Sequence, residues 1–236
     1  MRHLRRTGVV AAALGLGLGA LPAAPALAQA SGTTVGPAGH AYAAALVSGT
    51  TAGFVVGNTT VNCSASATTG EVPAEPDNTN PEGAVVSPLS PATFGVNGAA
   101  CPTNVPFTTA RTVSNTTNGD WTISLAYDAA GPTGTMTIPT AGVITTITGL
   151  ASCKVTVAPN GPATLTGPWI AGTETSPPVL DFSAGVSLPI TVTGGLACPT
   201  GATTAVFKAK YTVSDTTDAT QQITVTDGTP APPPEG

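Results

Sequence analysis

The residues able to do chemistry are few. Past the first thirty positions the chain has one histidine, His40, four cysteines, Cys63, Cys101, Cys153 and Cys198, and two tryptophans, Trp121 and Trp169. A serine-type triad would need His40 as its base. His40 lies in a Gly/Ala-rich stretch, and no G-x-S-x-G elbow is present, so it reads as a surface residue. Zinc takes three or four His, Cys or carboxylate ligands, which one histidine and four cysteines without a C-x-x-C pair do not supply. Paired carboxylates can hydrolyse glycosides, but Asp120, Asp128, Asp181, Asp215 and Asp218 all flank expected turns. No enzyme and no cofactor is expected.

Two weaker constellations remain. Asp77, Asn80 and Glu82 offer hard oxygens within the acidic, Pro-rich segment GEVPAEPDNTNPEG (70–83). That is calcium's donor chemistry, although the spacing completes no calcium loop. The competing reading is a solvated acidic loop. Trp169, which follows Gly167-Pro168, and Tyr127 are the aromatic candidates for contacting an apolar or carbohydrate ligand. The competing place for Trp169 is the core at a strand end.

The first thirty residues read as an address. Arg2, Arg5 and Arg6 precede an uncharged run from Val9 to Leu21, followed by Pro22, Pro25 and small residues at Ala26, Ala28 and Ala30. This is the order of a secretory signal peptide cut after Ala28 or Ala30. The run is too short to span a bilayer as a helix, and no later stretch is long enough, so no transmembrane span is expected after cleavage. Removing it leaves Arg111, Lys154, Lys208 and Lys210 against twelve acidic residues, a net charge near 4 − 12 = −8. Nucleic acid requires clustered cations to neutralise phosphates, so that partner is rejected, and an anionic membrane is disfavoured for the same reason. The partner expected is an unknown surface or matrix component.

Four cysteines suit an oxidising compartment. Three pairings are open to four cysteines, and an internal repeat favours Cys63–Cys101 with Cys153–Cys198. Cys101-Pro102-Thr103 precedes Thr108-Thr109-Ala110 and Thr112-Val113-Ser114-Asn115-Thr116-Thr117. Cys198-Pro199-Thr200 likewise precedes Thr203-Thr204-Ala205 and Thr212-Val213-Ser214-Asp215-Thr216-Thr217. Two similar halves follow, 51–140 and 141–228.

The elements that must carry these residues are strands. Trp121, Ile123, Leu125 and Tyr127 alternate with Thr122, Ser124 and Ala126, and Phe207, Ala209, Tyr211 and Val213 alternate with Lys208, Lys210 and Thr212. A period of two marks a half-buried strand, and Thr and Val suit a pleated surface. Asn118-Gly119, Gly131-Pro132, Asn160-Gly161 and Gly194-Gly195 read as turns between them. Only Tyr42 to Val47 has the makings of a short helix. The expected fold is all-β, an antiparallel β-sandwich of Ig-like architecture with disulfides. It would occupy 51–228, after a linker at 31–50 and before a Pro-rich tail at 229–236.

The stretch Gly149–Val157, then Gly167-Pro168-Trp169, Leu180–Ser183, Cys198-Pro199 and Ala205–Tyr211 resembles small secreted proteins of high-GC actinobacteria. These are distantly similar to the PraA/PraB-type secreted proteins, named for promoting growth on alkanes. The resemblance runs from about Thr50 to Thr226. It implies an extracellular β-domain with two disulfides, both halves forming one unit, and no enzyme. The function expected is a non-enzymatic structural or surface-interaction role, secreted or in the cell envelope. The alternatives are an extracellular binding module for an apolar or carbohydrate ligand and, more weakly, a secreted hydrolase.

Overall fold

A computed structural model describes residues 32–128, 130–150, 152–195 and 197–229. The expected signal segment, and all of the Pro-rich tail except Thr229, lie outside them. After β1 (Thr33–Gly36), eight long antiparallel strands follow in chain order. The first joins β2 (Ala41–Leu46) to β3 (Ala52–Val56), and the second joins β4 (Thr59–Cys63) to β5 (Ser66–Glu71). After β6 (Thr79–Asn80), the third runs through β7 (Val85–Leu89), β8 (Thr93–Phe94) and β9 (Cys101–Pro102). The fourth is β10 (Thr108–Ser114) with β11 (Trp121–Ala126), and the fifth is β12 (Thr133–Ile138) with β13 (Val143–Gly149). The sixth is β14 (Cys153–Val157) with β15 (Ala163–Ile170), and the seventh is β16 (Val179–Asp181) with β17 (Val186–Gly194). The eighth is β18 (Thr204–Lys208) with β19 (Lys210–Asp215), and β20 (Thr224–Asp227) ends the described chain.

Each long strand pairs with the next. The second meets the third through Gly70↔Leu89, Ser66↔Phe94 and the bridge Val61↔Thr103. The eighth returns to the first through Tyr211↔Leu46 and Phe207↔Phe54. The ladder therefore closes as an up-and-down barrel, an arrangement that leaves few free sheet edges. The all-β, antiparallel expectation holds. The Ig-like order, with its Greek-key crossings between two sheets, gives way to a meander in which chain neighbours are neighbours in space.

The long strands are interrupted near mid-length, which divides the wall into two tiers. One tier comprises β2, β5, β7, β11, β12, β15, β16 and β19. The sheet β20-β1-β6 packs over its end, with Val35, Val72 and Ile223 buried beneath. We call this the cap end. The other tier ends in four connections, 57–58, 103–107, 150–152 and 195–203. We call this the tip end. The disulfide Cys153–Cys198 lies there, and Cys63–Cys101 joins β4 to β9 deeper in the same tier. The expected pairing is the observed one.

The inward alternation fills the barrel. Trp121, Leu165, Phe182 and Leu188 are almost wholly buried. Phe54 packs against Phe94 and Phe207, Phe207 against Phe182, and Phe182 against Tyr211, forming an aromatic chain across the waist. The Tyr211 hydroxyl lies 2.8 Å from Ser66 Oγ, and burial pushes its pKa up to about 12. Three voids among the described core residues hold about 30, 10 and 10 Å³, the first with room for about one water molecule. The outer face carries polar rows, such as Thr135 bonded to Thr166 at 2.9 Å. This is the inverse of a lipid-embedded barrel, whose outer band is apolar.

Several expectations change. The 31–50 linker contains β1 and β2. The helix expected at Tyr42–Val47 is strand β2, because β2 pairs on both sides, with β19 and β5, and tertiary pairing overrides alanine's helix preference. Asn118-Gly119 and Asn160-Gly161 are waist kinks within long strands, since a left-handed glycine can bend a strand without reversing it. The half-boundary at 140/141 falls between β12 and β13, within the fifth long strand. The TVS motifs are not equivalent either. Val213 faces the core, whereas Val113 is half exposed.

Candidate functional site

Three features of the outer surface stand out. The first is the tip end. In the 103–107 connection the Thr108 amide donates to the Val105 carbonyl at 3.3 Å. This closes a turn with Pro106 second and Phe107 third. Phe107 has φ 57°, a left-handed backbone that glycine or asparagine ordinarily takes at that position. The Thr103 hydroxyl, shared among Val105 and Thr108, fixes the turn from within. The Phe107 ring is 86% exposed. Next to it, the fifth long strand ends at Gly149, opposite Thr108, and Leu150 beyond it is 75% exposed. Arg111 and Lys154 stand on the adjoining outer wall, both opposite Thr146, Arg111 from β10 and Lys154 from β14.

The second feature is a surface groove of about 930 Å³ at the cap end, lined by Tyr42, Glu71, Asp77, Val86, Pro88 and Ser90 among others. It forms where β5 and β7 diverge, since they share only the Gly70↔Leu89 pair. Tyr42 lies over Gly70 so closely that any side chain there would meet its ring. Burial pushes the Tyr42 phenol above its ordinary pKa.

The third feature is a histidine–carboxylate contact. His40 Nδ1 lies 2.7 Å from Asp215 Oδ2, whose side chain is fully buried. An ionised carboxylate only accepts hydrogen bonds, so Nδ1 carries the proton. Asp215 Oδ1 also accepts the amides of Thr217 and Asp218 at 2.8 and 2.9 Å. Burial works against the Asp215 charge, but the Asp218 amide, His40 and the Thr217 amide outweigh it and hold its pKa below the usual range. The pair fastens the start of the first long strand to the end of the eighth.

The structure does not gather the residues singled out from the sequence into one site. Trp169 is 5% exposed and packs inward from β15, with its indole N–H buried and unpaired. Its ring is part of the core because Gly167 and Trp169 alternate inward with Leu165 along one strand. Tyr127 is half-buried and its amide donates to Thr33 Oγ1 at 2.9 Å, so it serves the cap. Asp77 and Glu82 are exposed, while Asn80 donates to the Ala84 carbonyl and accepts the Glu82 amide. Among the described residues no three His, Cys, Asp or Glu side chains lie close enough to share a metal ion. Phe107 escaped sequence reasoning, although Pro106-Phe107 between two strand patterns was a visible signal of a turn. No family model, no curated protein and no solved structure matches this chain.

Proposed function

We propose that this chain is a non-enzymatic, exported protein that works through its outer surface, in the cell envelope or the extracellular matrix. The observation that carries the reading is the filled barrel. Interior voids of about 30 Å³ leave no chamber for a substrate or ligand, so recognition falls to the exterior. Two disulfides accord with an oxidising compartment. Fractionation of the native cells tests it, with a mass-spectrometric map of the mature N-terminus and the thiols. Recovery outside the cytoplasm, cut near Ala28–Ser31 and with both bridges formed, is the expected result. An intact N-terminus with free thiols in the cytoplasm overturns it.

The groove beside Tyr42 favours a second reading, an extracellular binding module for an apolar or carbohydrate ligand. Saturable binding of alkanes, lipids or glycans that is lost in a Val86→Asp variant, at an exposed position of the groove wall, would favour that reading over the first.

A further inference from the structure

Charge is sorted along the barrel. The chain has twelve acidic residues. Apart from Glu235, outside the described residues, every one lies at the cap end or on its tier. Glu71, Glu75, Asp77 and Glu82 follow β5; Asp128, Glu174, Asp215, Asp218 and Asp227 sit on the other cap-end connections and β20; Asp120 and Asp181 adjoin or belong to cap-tier strands. The tip tier, from β3 and β4 through β9, β10, β13, β14, β17 and β18, contains no carboxylate. Its charges are Arg111, Lys154 and Lys208, all exposed and without an ion pair among the described residues. Lys210, at the waist, is held by Asp181 at 2.9 Å.

The carboxylate-free end is also the end that presents Phe107 and Leu150. A bulky residue in left-handed backbone is an outlier that marks a functional constraint more readily than a packing one, and Phe107 packs on almost nothing. Cys153–Cys198 ties the start of β14 to the chain before β18, and the Thr103 network fixes the Phe107 turn. An exposed aromatic and an exposed leucine on neighbouring tips, backed by cations on a tier without carboxylates, form an amphipathic surface. Such a surface binds where apolar matter lies beneath negative charge.

We propose that the tip end docks on an anionic lipid bilayer, with Phe107 and Leu150 entering the interface and Arg111 and Lys154 facing the headgroups. The net negative charge of the molecule does not oppose this. Most carboxylates lie at the cap end, and the nearest ones, Asp120 and Asp181, lie at the waist, the whole tip tier away from Phe107 and Leu150, which exceeds a Debye length of about 8 Å, so the cap's repulsion turns the molecule tip-first. The proposal rests on the surface-interaction reading above and names its partner.

Vesicle co-sedimentation of the disulfide-bonded protein tests it. Vesicles of about one-third phosphatidylglycerol in phosphatidylcholine should bind the protein, and pure phosphatidylcholine vesicles should bind it more weakly, with raised salt releasing it. The double variant Phe107→Asn/Leu150→Ser should lose about tenfold or more in binding. Asparagine suits the left-handed backbone, so the fold is kept, and an unchanged melting curve verifies this. Arg111→Gln/Lys154→Gln should abolish the preference for anionic vesicles. Ile170→Ser, at the exposed isoleucine that ends β15 on the cap tier, should bind like the parent. Absence of binding, or equal binding by the parent and the tip variant, overturns the proposal. Retention of the parent and the tip variant on the envelope fraction of native cells separates the two levels. If vesicles fail but the tip variant alone is released from envelopes, the lipid partner is wrong and the surface-interaction reading stands. If the parent binds neither, both fall.

Discussion

At the scale of single residues, Asp215 is where charge does the most for the fold. It is buried and accepts two amides and the His40 ring. Removing an ionised acceptor strands those donors, so Asp215→Ala should cost about 2–3 kcal/mol in urea unfolding near neutral pH. The pH dependence follows from the direction of its shift. A carboxyl whose folded pKa is depressed contributes stability that is fully present above its unfolded value, about 3.9. That contribution is lost as pH falls through the folded value. The gap between parent and variant should therefore be constant above about pH 5 and close on further acidification. A gap that widens in acid would show that Asp215 is not held ionised by its neighbours. His40, considered first as a catalytic base, serves here as a clamp between the first and eighth long strands.

At the scale of elements, the alternation of apolar and Thr positions builds each long strand, and glycines decide where strands kink or approach. Gly149 ends the fifth long strand with φ 131°, and a Cβ there would run into the backbone of Phe107 and Thr108. Backbone has no rotamer by which to yield. Gly149→Ala should destabilise by about 2–4 kcal/mol. It should also perturb the Phe107 turn, visible as shifted amide resonances at 105–109, whereas an unshifted turn would separate the two neighbouring tips. The divergence of β5 from β7 is likewise an element-scale property. The 72–84 excursion between them supplies β6 to the cap, and the groove opens beside it.

At the scale of the whole molecule, the barrel is a closed ring fastened unequally at its two ends. The cap end is sealed by the small sheet and by the His40–Asp215 pair, and the tip tier is cross-linked by two disulfides with sequence separations of 38 and 45. Loops of that length give about 4 kcal/mol per bridge in the chain-entropy picture, with measured effects commonly 2–4. Replacing Cys63 and Cys101 together by alanine should lower stability by that order. Hydrogen exchange should rise first in β3, β4, β9 and β10, while the cap tier stays protected. Uniform loss of protection would mean that the two tiers open only as one unit.

Much of this was determined by the sequence alone. Trp121, Ile123, Leu125, Phe207, Tyr211 and Val213 identified their buried faces because a strand's period of two is local. The repeated Cys-Pro-Thr motif favoured the observed disulfide partners because equivalent halves pair their cysteines alike. Closure of the barrel was not legible, since it depends on the eighth long strand finding the first, a contact 150 residues or more apart along the chain. Nor was the place of Trp169, which composition offers equally to surface or core. Three long carboxylate-free runs, 83–119, 129–173 and 182–214, can be counted in the sequence. Only an up-and-down course, which brings the middle of every such stretch to the same end, turns that linear alternation into a molecule with an acidic cap and a cationic, apolar tip.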